Sequence, residues 1–360
     1  MRLGLFMMPL HPPHRSFADS YKRDIDQIVL ADRLGFREAF VGEHLTERWE
    51  NAPAPDLLIA QALALTKSIR LGTGVTLLAL HNPVYLAHRI AMLDHMAQGR
   101  FQWGIGGGAI PTDLALFGID AKNQSEVRAR SAEVLEVVLA LWASEGVFSH
   151  HGKFFDVETP AFDPVKARGY YMKPFQKPHP PIAVAASTPD SGSMKMAGER
   201  GYIPMTSSLL SRTYLRDHWK LVEAGAAKGG RTANRSEWRV ARDILVAPTP
   251  KLARERARTV LGRNYIDHQR PNRVGTIQMT TTKLDPAIPD DAVTVDYLME
   301  NTWIVGDPSE VADKLHQLHE ESGGFGTLLA ITTDADDASW DHESLRLLME
   351  DVAPRVARLN

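Results

Sequence analysis

Short apolar runs alternate with longer amphipathic stretches from one end of the chain to the other. Residues 2–8, 38–42, 70–78, 101–105, 181–186, 202–205, 238–247 and 325–331 have strand length and are bounded by glycine, proline or polar residues. The intervening segments carry the helical period. In 17–34, Ile25, Ile28 and Val29 share a face and Gly35 supplies the stop. Asn82 at N-cap and Pro83 at N1 open a helix whose Leu86, Ile90 and Leu93 recur on one side. Asp307, Pro308 and Glu310 open another, with Glu310 as the reciprocal acid of the cap and Val311, Leu315 and Leu318 as its buried stripe. Further helices are expected over 55–66, 125–142, 193–200, 214–227, 251–261 and 345–357, and a small hairpin over 146–157. Residues 263–291 show no period and read as an irregular insertion. Strands alternating with helices, with no linker, predict one α/β domain over residues 1–360. The expected architecture is a (β/α)8 TIM-type barrel with insertions at its C-terminal face; a doubly wound open sheet is the alternative.

Composition narrows the function. A net charge of −3 and 24% charged residues give no electrostatic reason to expect nucleic acid or an anionic membrane as partner. With no cysteine, the chain has no disulfides, thiolate metal sites or thiol nucleophiles. No apolar run reaches the roughly 18 residues of a membrane span. A soluble, cytoplasmic protein is the expectation.

Barrel chemistry sits where strands end. The second strand ends in Glu43 and His44, and an imidazole there can relay protons near neutral pH, though a structural histidine reads the same way. Glycines at 72, 74, 104, 106, 107 and 108 leave room for a flat ring against the backbone, or merely mark a bulge and a tight turn. Neither a GxGxxG dinucleotide turn, a phosphate loop with lysine, nor a GxSxG elbow is present. After the fifth strand, Ala186 leads into Ser187, Ser191, Gly192 and Ser193 ahead of a helix, a pattern suited to a phosphate and equally to ordinary capping. Phe6, Met8, Trp49 and Trp303 are candidates for an apolar pocket, or core. His150, His151 and His268 lack metal-ligand spacing and read as surface residues, as do Asp334–Asp337, so no metal site is expected.

The strand ends also carry a resemblance. Phe40-Val41-Gly42-Glu43-His44, Arg70-Leu71-Gly72-Thr73-Gly74-Val75, His81-Asn82-Pro83, Leu93-Asp94-His95-Met96, Gly99-Arg100-Phe101 and Val305-Gly306-Asp307-Pro308 stand in the order and spacing of the bacterial-luciferase-like flavin monooxygenases. The chain most resembles the limonene and diketocamphane monooxygenases, with Trp49-Glu50-Asn51 and Ala197-Gly198-Glu199-Arg200 like the latter. The resemblance implies reduced FMN supplied by a separate flavin reductase, O2 as co-substrate, and oxygenation of a small apolar ketone, alkene or aldehyde through a flavin C4a-peroxide. It implies that His44 is the acid/base partner and that Gly74-Val75 is a cis peptide beneath the flavin. Gly106 would lie beside the cofactor and the 187–193 loop would hold its phosphate. Luciferase carries an arginine for that phosphate after the fourth strand, where this chain has glycines only. The family is commonly dimeric, so a homodimer is expected. It also contains deazaflavin-dependent oxidoreductases, and a deazaflavin enzyme or a non-catalytic flavin-binding protein are the alternatives.

Overall fold

The computed structural model describes residues 1–107 and 110–359. Its eight barrel strands are β1 (Arg2–Leu10), β2 (Glu38–Val41), β3 (Arg70–Thr73), β4 (Phe101–Gly106), β5 (Ile182–Ala186), β6 (Ile203–Thr206), β7 (Arg239–Val246) and β8 (Thr327–Thr333). Each pairs in parallel with the next, and β8 pairs with β1 to close the ring. The TIM-type barrel is thus the fold, and the open sheet is excluded by the β8–β1 register Phe6↔Ile331.

Alternation along each strand sorts the side chains into two cores. Leu3, Leu5 and Met7 of β1 join the large cluster under the surrounding helices. Phe40, Ala183, Met205, Ala241, Leu329 and Ile331 fill the barrel interior, with Phe6, Met8, Val75 and Ala185 half-buried above them. The interior floor is polar and paired: buried Arg239 donates to Glu38 at 2.9 Å, and Gln102 donates to the same carboxylate at 3.0 Å.

Helix boundaries follow local chemistry. Asn82 accepts from Val84 and Tyr85 N–H groups, and Asp307 from those of Ser309 and Glu310. The reciprocal half of the second cap is absent, because Glu310 turns away to Arg254 at 3.0 Å. Gly35 ends its helix in the left-handed region at φ 89°.

Three expectations need correction. The third strand is not continuous to Leu78: it stops at Thr73 and resumes over Thr76–Leu77, with a cis Gly74–Val75 peptide between. Ile304–Gly306 forms a further parallel strand on β7, which the sequence pattern hid because it is only three residues long. Residues 263–291 are largely helical, over Leu261–Asn264, Tyr265–Gln269, Arg270–Arg273 and Ile277–Thr282. No period shows there because these turns are short and buried on changing sides, with Tyr265 and Met279 in one cluster and Ile266 and Val274 exposed.

Candidate active site

The end of β2 sends its two ionisable groups in different directions. Buried Glu43 accepts the Leu77 N–H and lies 2.8 Å from His81 Nε2, which ties down the chain after the cis peptide. His44 is half-buried, with Nδ1 3.0 Å from Asp113 Oδ2. The other Asp113 oxygen accepts Leu45 N–H at 3.1 Å, Thr46 N–H at 2.8 Å and the Thr46 hydroxyl at 2.6 Å. A carboxylate held as acceptor by three donors is an acceptor toward the ring too. His44 Nδ1 therefore carries the hydrogen of this bond. Nε2 lies 3.4 Å from Glu50 Oε2, and Glu50 Oε1 lies 3.2 Å from His268 Nε2.

His268 is accordingly not a surface residue. It is 7% exposed, and Trp49 stacks on it at 5.6 Å with an interplanar angle of 19°. The segment that carries it crosses the barrel mouth. It reaches the β8 end through Arg263 and Asp336 at 2.7 Å, the loop after β2 through His268, and the loop after β6 through the Ser211 N–H to Thr281 carbonyl bond at 2.8 Å. The sequence did not single out Asp113, gave Glu50 only as part of the Trp49-Glu50-Asn51 resemblance, and placed His268 on the surface; only the fold brings the three to His44.

Phe6, Met8, Val75 and Ala185 of the apolar interior are only partly buried. Trp49 stacks on His268 outside this cluster, and Trp303 lies outside it too. Trp303 packs against Tyr265 in the cluster outside the barrel, with ring centroids 6.4 Å apart. The glycines have a different cause from ligand approach alone. A Cβ on Gly104 would sit 1.8 Å from the Thr73 carbonyl, and one on Gly106 would sit 2.5 Å from Val75 Cγ2. The close partner is the chain's own backbone and side chain at the strand interruption. Gly108 lies outside the described residues.

After β5, the buried Ala186 carbonyl accepts Ser207 N–H, which fixes the start of the loop. Ser191 is the N-cap of the helix Gly192–Arg200, yet its hydroxyl makes no cap bond. Among the described residues, the hydroxyls of Ser187, Ser191 and Ser193 have no hydrogen-bond partner in the chain, and Gly192 leaves open space beside them. The plain capping role is thereby removed, and free donors at a helix N-terminus remain. Lys195, in the first turn, is paired with Asp190 at 2.9 Å. His218 donates from Nε2 to the Thr188 carbonyl, and burial holds its pKa below the usual histidine value, so it stays neutral.

The arrangement places an oriented imidazole, half-buried apolar side chains, a glycine-lined strand pair and unbonded serine hydroxyls at the strand ends. Residues 1–324 match the luciferase-like monooxygenase family. The chain is 32% identical to 2,5-diketocamphane 1,2-monooxygenase 1 of Pseudomonas putida over 99% of both chains. It is 28% identical to limonene 1,2-monooxygenase of Rhodococcus erythropolis over 98% of this chain and 85% of that enzyme. Among solved structures, the oxygenating constituent of 3,6-diketocamphane monooxygenase of Pseudomonas putida, a type II Baeyer-Villiger enzyme in complex with FMN, superposes with a TM-score of 0.91 at 31% identity, covering 98% of each chain. The chain belongs to the luciferase-like monooxygenases.

Proposed function

We propose that this protein is the oxygenase component of a two-component system, acting on a small apolar, terpenoid-like ketone, alkene or aldehyde with FMN reduced elsewhere. The observation that carries this reading is the pairing of one oriented histidine with partly buried apolar side chains at the strand ends. The residues present suit FMN: the unbonded hydroxyls of Ser187, Ser191 and Ser193 would hold its phosphate, and Gly74, Val75 and Gly106 would hold its ring. When bound and reduced, the flavin supplies the activated oxygen.

The chain's own residues do the rest. Phe6, Met8 and Val75 hold an apolar substrate by burial and exclude water. His44 Nε2 holds or releases the proton that the reaction moves, and Asp113 keeps the ring in one tautomer. The helical segment 261–282 covers the mouth. Helix Pro83–Ala97 exposes Tyr85, Met92 and Met96 on one face, which supports a homodimer; a monomer by sedimentation equilibrium removes that part. No helix is long and apolar enough to cross a membrane among the described residues, in keeping with a cytoplasmic enzyme.

The test is product analysis by mass spectrometry with reduced FMN, isotopically labelled O2 and a panel of bicyclic ketones, alkenes and aldehydes. Incorporation of one labelled oxygen into a panel member is expected. Hydride transfer with a reduced deazaflavin and no label from O2 overturns the reading.

A further inference from the structure

The flank of the barrel carries a charge that the mouth does not use. β6 and β7 are paired only at Arg239↔Met205 and Val240↔Thr206. Beyond that point the seam has no ladder, and Arg242 occupies it. Ala241 faces the barrel interior, while Val240 and Ile244 face the surrounding helices, so Arg242 lies on the outer face of β7. Its residue is 2% exposed. Nη1 donates to the Ala241 carbonyl at 2.7 Å and to the Ser207 carbonyl at 3.5 Å; Nη2 has no partner. Neither bond reaches a carboxylate, and the neighbouring Asp243 takes its hydrogen bond from Ser208 on the opposite face.

A buried guanidinium whose hydrogen bonds reach carbonyls alone is costly, and Asp243 offsets its charge only through space, with no hydrogen bond between them. Burial lowers its pKa to about 10, which still leaves it charged at neutral pH. A cavity lies beside it. It is lined by Arg212, Arg242, Lys314, Asn301, Thr302 and Gln317, with Glu300 as its one carboxylate, and Glu300 is exposed. Arg212 gives Nε to Glu321 at 3.3 Å, and Lys314 gives a hydrogen to the Val305 carbonyl at 2.9 Å, so neither cation uses all its donors. Three cations line this recess together with amide and hydroxyl groups, and the burial of Arg242 limits the screening of its charge. A guanidinium fork with further N–H and O–H donors matches a tetrahedral oxyanion.

We propose that this cavity between β6, β7 and helix Pro308–Ser322 is an anion site for phosphate-class oxyanions, distinct from the loop that takes the flavin phosphate. It is built from the outer face of the barrel, whereas the flavin loop follows β5.

Inorganic phosphate is the probe, titrated calorimetrically into the full chain at low ionic strength, with and without saturating FMN. Saturable binding of one phosphate in the presence of FMN is expected. The double variant Arg212→Ala/Lys314→Met, both partly exposed, should weaken that binding at least tenfold and leave FMN affinity unchanged. Arg242→Met should abolish it; if that variant does not fold by circular dichroism, the double variant decides. Phosphate binding that disappears when FMN saturates the protein, or that the double variant leaves intact, overturns the proposal. Because FMN affinity is read separately, a failure here is distinguishable from a failure of the flavin assignment.

Discussion

His11 offers a stability prediction whose size follows from its surroundings. It sits just past β1, 3% exposed, with Nε2 3.0 Å from Asp24 Oδ1 and Nδ1 3.0 Å from Asp334 Oδ2. Burial alone would disfavour its charge, but hydrogen bonds and attraction to both carboxylates prevail and raise its pKa to about 9. The unfolded value is 6.5, so the folded state holds this proton more tightly by about 2.5 units. At 1.36 kcal/mol per unit, the full contribution is about 3 kcal/mol. The group's folded pKa is raised, so this stability is fully present below pH 6.5 and is lost as pH rises through 9. Between pH 7 and pH 9.5 the loss comes to roughly 2 kcal/mol. Other groups are shifted as well: burial lowers the pKa of the amino terminus and pushes that of Asp341 up to about 7. A His11→Gln variant cancels them by difference. Urea unfolding of both proteins at the two pH values should show the parent losing about 2 kcal/mol more than the variant. Parallel losses in the two proteins would refute the buried charged histidine.

Other expected outcomes concern the site. His44→Ala should keep FMN affinity and lose roughly 100- to 10,000-fold in product formation, measured as labelled product per turnover; unchanged turnover removes its role. Ser191→Ala/Ser193→Ala should weaken FMN far more than riboflavin by fluorescence titration, since only FMN has a phosphate, and equal weakening shows that the loop does not hold it. Replacing the middle of 263–291 by a short glycine–serine linker should preserve FMN binding and divert O2 to hydrogen peroxide, because the mouth loses its cover. Coupling as tight as the parent's would show that the segment does not exclude water.

The barrel was legible because its strands are buried on both faces and its helices on one, so the two periods stay separate along the chain. Asn82 and Asp307 marked helix starts for the same reason that they cap them. His44 was legible from its place at a strand end and from the motif around it. What was not legible depends on contacts between distant segments. Asp113 reaches His44 across 69 positions, and His268 reaches Glu50 across 218, so no local spacing encodes either. Asp334 looked like part of a solvated acidic run, yet it is buried between His11, Arg15 and Arg23. Runs of charge report composition, while burial is decided by which loop covers them. Trp303 was grouped with the pocket because tryptophan is large and apolar, a property that fits a helix-side core equally well.

The strand interruption has a consequence for how the enzyme's repertoire can change over evolutionary time. Gly104 packs against the Thr73 carbonyl and Gly106 against the Val75 side chain, so an added side chain at either would collide. Phe6, Met8 and Ala185, by contrast, are only partly buried side chains. Selection can therefore resize the walls without disturbing the floor on which a flat ring would rest. Descendants of such a scaffold should diverge in what they accept much faster than in how they activate oxygen.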